Sequence, residues 1–270
     1  MNIAVPPGAC DTHIHCYDRA AKAAPGAAMP GHFPPVAYRE LQRRLGLSRV
    51  VVVQPNAYRD DNSVTLAAMQ ELGKAARGVA VVSETATDAE LERLTRAGIV
   101  GQRFFNLPAG TIPFSRMDPI MARVHPFGWH ANLQLDGREL PKYEAQIHRL
   151  PGKFVIDHNG KFLEPVDVSS EPFKCLLRLL DTGRCWVKLS APYETSRTGA
   201  PTYEDVSRLA RALVKHAPER MLWASNWPHP SVPPGTVDDL DLLNLLADWA
   251  PAEKDRNRIL AGNPEELYGF

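Results

Sequence analysis

Residues 10–15, CDTHIH, are typical of a short buried strand that ends in two histidines. Side chains two residues apart lie on the same face of a β-strand, so His13 and His15 point the same way at the carboxyl end of this segment. The next apolar run, VVVVQ at 50–54, is also followed by polar residues, PNAYR at 55–59. Short apolar runs that end in polar side chains therefore set the pattern from which the fold can be predicted.

Six further runs of this kind follow, and amphipathic segments typical of helices lie between them. The predicted strands are residues 10–15, 50–54, 79–83, 101–105, 130–134, 154–157, 186–189 and 221–224. The clearest predicted helices are 63–76, 88–97, 172–181, 203–216 and 237–249. Thr87 and Thr202 occupy expected N-cap positions, while Gly46, Gly98 and Gly183 stand where helices commonly end.

Strands that alternate with helices predict a parallel sheet joined by right-handed crossovers. Eight such units in 270 residues match the size of a (β/α)8 TIM-type barrel. We see no linker that would divide the chain, so one domain over residues 1–270 is predicted. A doubly wound open sheet is the alternative, although no glycine-rich phosphate loop follows a predicted strand.

Composition and charge argue against several classes of partner. Lys plus Arg equals Asp plus Glu at 31 each, so the formal net charge is zero, which gives no support to a nucleic acid or a membrane surface as partner. The apolar runs are far shorter than the about 20 residues that a membrane span requires. The four cysteines form no CxxC pair, and the first residues do not resemble a signal peptide. We expect a cytoplasmic protein with reduced thiols, and no sequence feature sets its oligomeric state.

Polar side chains stand at the ends of seven of the eight predicted strands. In a barrel these ends meet at one mouth, and catalytic groups come from several different strands. Beyond the first two strands the residues are Arg103, Asn106, Asn132, Gln134, Asp157, His158, Lys188, Ser190, Asn226 and His229. Each could instead be a hydrogen-bonded core residue. The joint presence of His13, His15, His158 and Asn226 favours an active site.

Six longer motifs make the chain similar to the amidohydrolase superfamily, in its amidohydrolase-2 branch. They are DTHIH at 11–15, VVVQPNAYRDDN at 51–62, VIDHNGKF at 155–162, WVKLSAPYETSR at 186–197, APERMLWASNWPHP at 217–230 and GNPEELY at 262–268. Within that branch the chain resembles lactone-acting enzymes, the galactarolactone isomerase type most closely and the 2-pyrone-4,6-dicarboxylate lactonase type next. The closer likeness rests on DHNGKF at 157–162, TLAAM at 65–69, LPAG at 107–110 and SNWPH at 225–229.

The resemblance implies roles for individual residues. His13, His15 and His158 match the histidines that bind metal in many members, and Asn226 stands where most members have an aspartate. Because that carboxylate is missing and structural or catalytic zinc needs about three or four ligands, the resemblance implies an enzyme without a metal or other cofactor. A divalent metal at the three histidines is the alternative. The implied substrate is a small anionic lactone, and the residues placed to bind it are Asn56, Tyr58, Arg103, Lys161, Lys188, Tyr193 and Arg197.

Asn226 also bears on the reaction. Hydrolysis requires an activated water and a base, and an amide cannot take up a proton at ordinary pH. Migration of the acyl group between two hydroxyls of one molecule needs no water. The sequence thus predicts a metal-independent isomerase of an aldaric-acid lactone, with His158 as the base and His13 and His15 polarising the carbonyl. The alternatives are a lactone hydrolase, with water activated by His158 or His229, and a non-catalytic barrel that binds anions.

Overall fold

Eight β-strands pair side by side in chain order, β1 to β8, and every neighbouring pair is parallel. The computed structural model describes residues 3–27, 29–108 and 110–270. The predicted (β/α)8 barrel is confirmed. Ala28, and Ala109 of the LPAG motif, lie outside the described residues. The strands are β1 Cys10–Ile14, β2 Arg49–Val53, β3 Ala76–Ala80, β4 Ile99–Asn106, β5 His130–Leu135, β6 Phe154–Ile156, β7 Cys185–Leu189 and β8 Met221–Trp223.

Hydrogen bonds just beyond the last strand join it to the first. The Asn226 N–H donates to the His13 carbonyl at 3.0 Å, and the His15 N–H donates to the Trp227 carbonyl at 2.8 Å. The Thr12 hydroxyl donates to the Trp223 carbonyl at 2.9 Å. These contacts close the sheet and bring the ends of β1 and β8 together.

Helices follow the strands and cover the outside of the sheet. Their bounds are α1 Pro35–Leu45, α2 Ser63–Leu72, α3 Asp88–Arg96, α4 Met117–Val124, α5 Leu140–Arg149, α6 Glu171–Asp181, α7 Glu204–His216, α8 Asp239–Asn244, α9 Leu246–Trp249, α10 Glu253–Asn257 and α11 Asn263–Tyr268. Thr87 caps α3 as predicted, since its hydroxyl accepts from the Glu90 N–H. None of the helices in the described part of the chain is long and apolar enough to span a membrane.

Several boundaries differ from the sequence prediction, and the predicted helix at 237–249 is divided into α8 and α9. The third strand begins at Ala76 rather than residue 79, because α2 ends at Leu72 and Gly73 turns the chain. Within this strand Gly78 leaves room for the Met69 side chain, since a Cβ there would lie 2.3 Å from the Met69 sulfur and would force that side chain to move. The predicted N-cap Thr202 is wrong: α7 begins at Glu204, and Tyr203 occupies the cap position without a side-chain hydrogen bond.

Alternate residues of the strands point into the barrel and out toward the helices. Val51 and Val53 pack inside with Val155 and Trp186, whereas Val50 and Val52 pack against the helices. These inward-facing apolar side chains fill the barrel near the amino-terminal ends of the strands, as is usual for the fold. The polar residues that follow on β4 to β8 consequently stand above them, at the carboxyl end.

Candidate active site

A cavity of about 400 Å³ opens at the carboxyl end of the barrel. Its polar lining comes from the ends of β1, β2 and β4 to β8: His15, Tyr17, Asn56, Arg103, Gln134, His158, Lys161, Glu194, Asn226 and Ser231. Two surface grooves are larger. The groove of about 930 Å³ between α2 and α3 contains none of the strand-end residues, and the groove of about 570 Å³ contains Asn106 but none of the histidines. The 400 Å³ cavity is therefore the candidate active site.

A chain of hydrogen bonds fixes His13 and His15. The His15 Nδ1 lies 2.7 Å from the Val53 carbonyl, and because a carbonyl only accepts, this nitrogen carries the proton. Its Nε2 then has a lone pair, and it faces the Nε2 of His13 at 3.2 Å. The His13 Nε2 must donate, so its Nδ1 is an acceptor, with the Lys188 ammonium 3.1 Å away. Both histidines are neutral in this arrangement, and each uses both ring nitrogens.

Lys188 is the cation that starts this chain, and its side chain is fully buried. Besides His13, it contacts Asn132 Oδ1 at 2.9 Å and Asp157 Oδ1 at 3.2 Å. Asp157 also accepts from the Asn132 amide at 2.9 Å. Burial alone would raise the pKa of Asp157, but the positive charge of Lys188 holds it well below its usual range. The sequence prediction placed Lys188 against substrate, whereas it lies beneath the cavity within a buried ion pair.

The same contacts bear on metal binding. His13, Asp157 and His158 bring potential ligand atoms within 4.8 Å of one another. A divalent ion on the His13 Nε2 would displace the hydrogen bond to His15 and would need a proton on Nδ1. Asp157 Oδ1 lies 3.4 Å from that nitrogen and could accept the proton, but the Lys188 ammonium lies nearer, at 3.1 Å, and would repel it. An ion bound near Asp157 would meet the repulsion of the same ammonium. The residues present fit a divalent metal poorly.

His158 is the histidine with a ring nitrogen left for a ligand. Its Nδ1 lies 2.8 Å from the Ser190 hydroxyl, and among the described residues nothing hydrogen-bonds to its Nε2. Burial lowers the pKa of His158 to about 4, so the ring is neutral at ordinary pH. The backbone at His158 and Asn159 is left-handed, with φ of 54° and 56°. Such strain in non-glycine residues clusters at functional sites.

Asn226 presents its amide oxygen to the cavity. Its Nδ2 donates to the Tyr193 hydroxyl at 2.9 Å, and within the described ranges its Oδ1 accepts no hydrogen bond. The Tyr193 hydroxyl also contacts His229 Nδ1 at 2.9 Å, and His229 Nε2 lies 3.1 Å from Asp239. This network fixes which end of the Asn226 amide faces a ligand. Tyr193 is thus behind Asn226 rather than in the cavity wall.

Lys161 and Glu194 form an ion pair in the cavity wall, and the side chain of each is 9% exposed. The second carboxylate oxygen of Glu194 accepts from the Ser231 hydroxyl at 2.7 Å and lies 3.4 Å from the Asn226 Nδ2. Burial alone would raise the pKa of Glu194, but the ammonium of Lys161 lowers it to about 2. Glu194 is therefore a fixed anion.

Arg103 is a buried cation with no carboxylate partner among the residues that the structure describes. It donates to the Gln54 carbonyl at 2.6 Å and to Gln134 Oε1 at 2.7 Å, and it stacks 5.1 Å from the Phe105 ring centroid. Its Nε has no hydrogen-bond partner there. A guanidinium has five N–H donors, so several remain for an anionic ligand.

The structure brings most of the predicted site residues together, but not all of them. His15, His158, Asn226, Asn56, Arg103 and Lys161 line the cavity, and His13 lies just below. Tyr58 instead hydrogen-bonds the Asp18 backbone. Arg197 is 68% exposed and pairs with Glu164 outside the cavity. Its backbone N–H donates to the Asp205 carboxylate at 2.7 Å.

Sequence reasoning missed Glu194 and the pairing of Asp157. Glu194 stands within the quoted motif WVKLSAPYETSR, next to Tyr193, so its position could have been noticed. Asp157 stands directly before His158 at the end of a strand. Nothing in the nearby sequence distinguishes either carboxylate from a solvent-exposed one, because the partner of each comes from a different βα unit: Lys188 of β7 for Asp157, and Lys161 of the loop after β6 for Glu194.

Comparison with known proteins gives a family and several relatives. The family model described as "Amidohydrolase" matches residues 10–270. A D-galactarolactone isomerase from Agrobacterium fabrum is 39% identical over 99% of this chain and 93% of its own length. A 4-sulfomuconolactone hydrolase from Hydrogenophaga intermedia is 32% identical over 100% of this chain and 91% of its own. A 2-pyrone-4,6-dicarboxylate hydrolase from Comamonas testosteroni is 32% identical over 98% and 91%.

A solved structure agrees with the fold. The apo crystal structure of an Agrobacterium tumefaciens protein, 39% identical, superposes with a TM-score of 0.93 and covers 99% of this chain and 97% of the other. The predicted resemblance to lactone-acting proteins is confirmed.

Proposed function

This chain belongs to the amidohydrolase family, and from that premise we propose that it is a metal-independent enzyme that isomerises an aldaric-acid lactone. The proposal rests on two side chains that lie together at the mouth of the barrel, His158 and Asn226. One neutral histidine, His158, has a free nitrogen, and an asparagine stands where a hydrolytic aspartate is usual in the family. The similarity to a D-galactarolactone isomerase supports the choice of substrate.

The reaction can be written with His158 as the only proton carrier. The Nε2 of His158 takes the proton from a free hydroxyl of the lactone, and that oxygen attacks the lactone carbonyl carbon. The tetrahedral intermediate then breaks its original ring C–O bond. The released oxygen recovers the proton from His158, which leaves a lactone of different ring size and the enzyme unchanged.

Two cations and one amide support this chemistry. Arg103 binds the free carboxylate of the lactone through its remaining N–H groups. The ammonium of Lys161 stabilises the negative charge that develops on the carbonyl oxygen. The free Oδ1 of Asn226 accepts from a substrate hydroxyl and orients it. His13 and His15 support the site from below, since their ring nitrogens are already used.

Hydrolysis is less well supported by the carboxylates present. Glu194 is the carboxylate of the cavity wall, but a group whose pKa is about 2 is a weak base toward water. It is also engaged by Lys161 and Ser231. The base with a free ring nitrogen is His158, and in the proposed reaction it acts on a hydroxyl of the substrate rather than on water.

Proton NMR of aldaric-acid monolactones, including D-galactarolactone, tests the proposed function. We expect the natural protein to convert one lactone into another with no open-chain acid. Asn226→Asp adds a carboxylate that can take a proton from water, so this variant should form open-chain acid and less of the new lactone. If the natural protein itself opens the lactone at a useful rate, the isomerase proposal fails and hydrolysis takes its place.

Metal independence is tested by removing metals. We expect turnover to be unchanged after exhaustive dialysis against a chelator, because Lys188 already occupies the acceptor atoms of His13 and Asp157. Elemental analysis before and after treatment provides the control. Stoichiometric zinc together with chelator-sensitive activity would show instead that the histidines hold a metal.

A further inference from the structure

We propose that Glu194 is a specificity-determining residue that restricts the cavity to lactones with a single carboxylate. The inference rests on the proposed function, since it refines the class of lactone that this site accepts. The carrying observation is the Lys161–Glu194 ion pair, which lies in the cavity wall with each side chain 9% exposed.

The charges that face the cavity come from three side chains in the described part of the lining. Arg103 and Lys161 are positive and Glu194 is negative, which leaves one net positive charge. The histidines add none, because His15 is held neutral by its hydrogen bonds and burial keeps the pKa of His158 at about 4. Beneath the lining, Lys188 is compensated by Asp157.

Arg103 is the cation that can take a carboxylate without breaking an ion pair. A second full carboxylate at Lys161 would either share one positive charge with Glu194 or displace it, and Glu194 is also held through its other oxygen by Ser231 at 2.7 Å. The displaced carboxylate would remain buried with its compensating charge removed, which is strongly unfavourable. A dicarboxylate therefore meets an anion at the place where it needs a second cation.

The test is equilibrium binding of two ring-shaped probes that cannot react, measured by titration calorimetry. The probes are tetrahydropyran-2-carboxylate and cis-tetrahydropyran-2,6-dicarboxylate, which differ by one carboxylate. We expect the natural protein to bind the monocarboxylate more tightly. Glu194→Gln frees Lys161, so it should tighten dicarboxylate binding by on the order of tenfold to hundredfold. Its effect on the monocarboxylate should be much smaller.

Two further variants serve as controls. Glu164→Gln makes the same chemical change on the exposed partner of Arg197 and should alter neither affinity. Arg103→Met removes the proposed anion-binding group and should weaken both probes, whereas Arg197→Met should weaken neither. Tighter binding of the dicarboxylate by the natural protein, or an unchanged ratio in Glu194→Gln, would overturn the inference.

The first of these comparisons needs only the natural protein, so it stands even if a variant fails to fold. The titrations measure binding alone and are independent of catalytic turnover. A protein that selects the monocarboxylate but leaves aldaric-acid lactones unchanged would retain this inference and lose the proposed function. A protein that isomerises aldaric-acid lactones but binds the dicarboxylate probe more tightly would retain the proposed function and lose this inference.

Discussion

Replacing His158 with asparagine should lower kcat/KM for lactone isomerisation by roughly 10²- to 10⁴-fold, the range typical of a lost general acid–base catalyst. Asparagine tolerates the left-handed backbone found at this position, and its short amide can keep the contact with Ser190 that His158 Nδ1 makes at 2.8 Å. It has nothing in place of Nε2. The substitution thus removes the proposed proton carrier and little else.

The pH profile of the natural protein gives an independent measurement. A base must be unprotonated to act, and burial lowers the pKa of His158 to about 4. The value of kcat/KM should therefore be constant near neutral pH and fall as the pH drops through about 4.

The matched control for His158→Asn is His216→Asn, at a histidine paired with Asp181 on the surface, and it should retain full activity. A His158→Asn protein with the natural thermal stability and natural turnover would refute the assignment.

Lys188→Met should reduce the free energy of unfolding by about 3–5 kcal/mol, the usual cost of removing one partner from a buried ion pair. The substitution leaves the charge of Asp157 buried, with the Asn132 amide and His13 as its remaining polar side-chain contacts in the described part of the chain. It also removes the donor to His13 Nδ1, so the hydrogen bonds that fix His13 and His15 lose their starting point. Urea unfolding followed by circular dichroism measures the loss.

A second variant separates charge from packing. In Lys188→Met with Asp157→Asn both charges are absent, so much of the lost stability should return, as expected when a whole buried pair is replaced. Lys215→Met, at an exposed lysine of α7, should change stability by less than about 0.5 kcal/mol. If Lys188→Met unfolds like Lys215→Met, the buried pair does not stabilise the barrel.

The sequence by itself determined the fold and the end of the barrel where the site lies. Alternation of apolar strands with amphipathic helices is a local property, and the strand period decides which side chains share a face. His15, His158 and Asn226 could accordingly be placed in one cavity before the structure was known. Arg103 and Lys161 could be placed there too, because Arg103 lies in the carboxyl half of β4 and Lys161 lies in the loop after β6.

Only the tertiary structure decided what these residues can do. Lys188 was predicted to bind substrate, but the closed barrel places it against Asp157 and His13, residues 31 and 175 positions away in the chain. Glu194 becomes a fixed anion through Lys161 and Ser231, which come from other strand loops. Proton positions and net charge in a buried site depend on partners at hydrogen-bond distance. Because these partners are remote in the chain, their distances are set only when the strands close into a barrel.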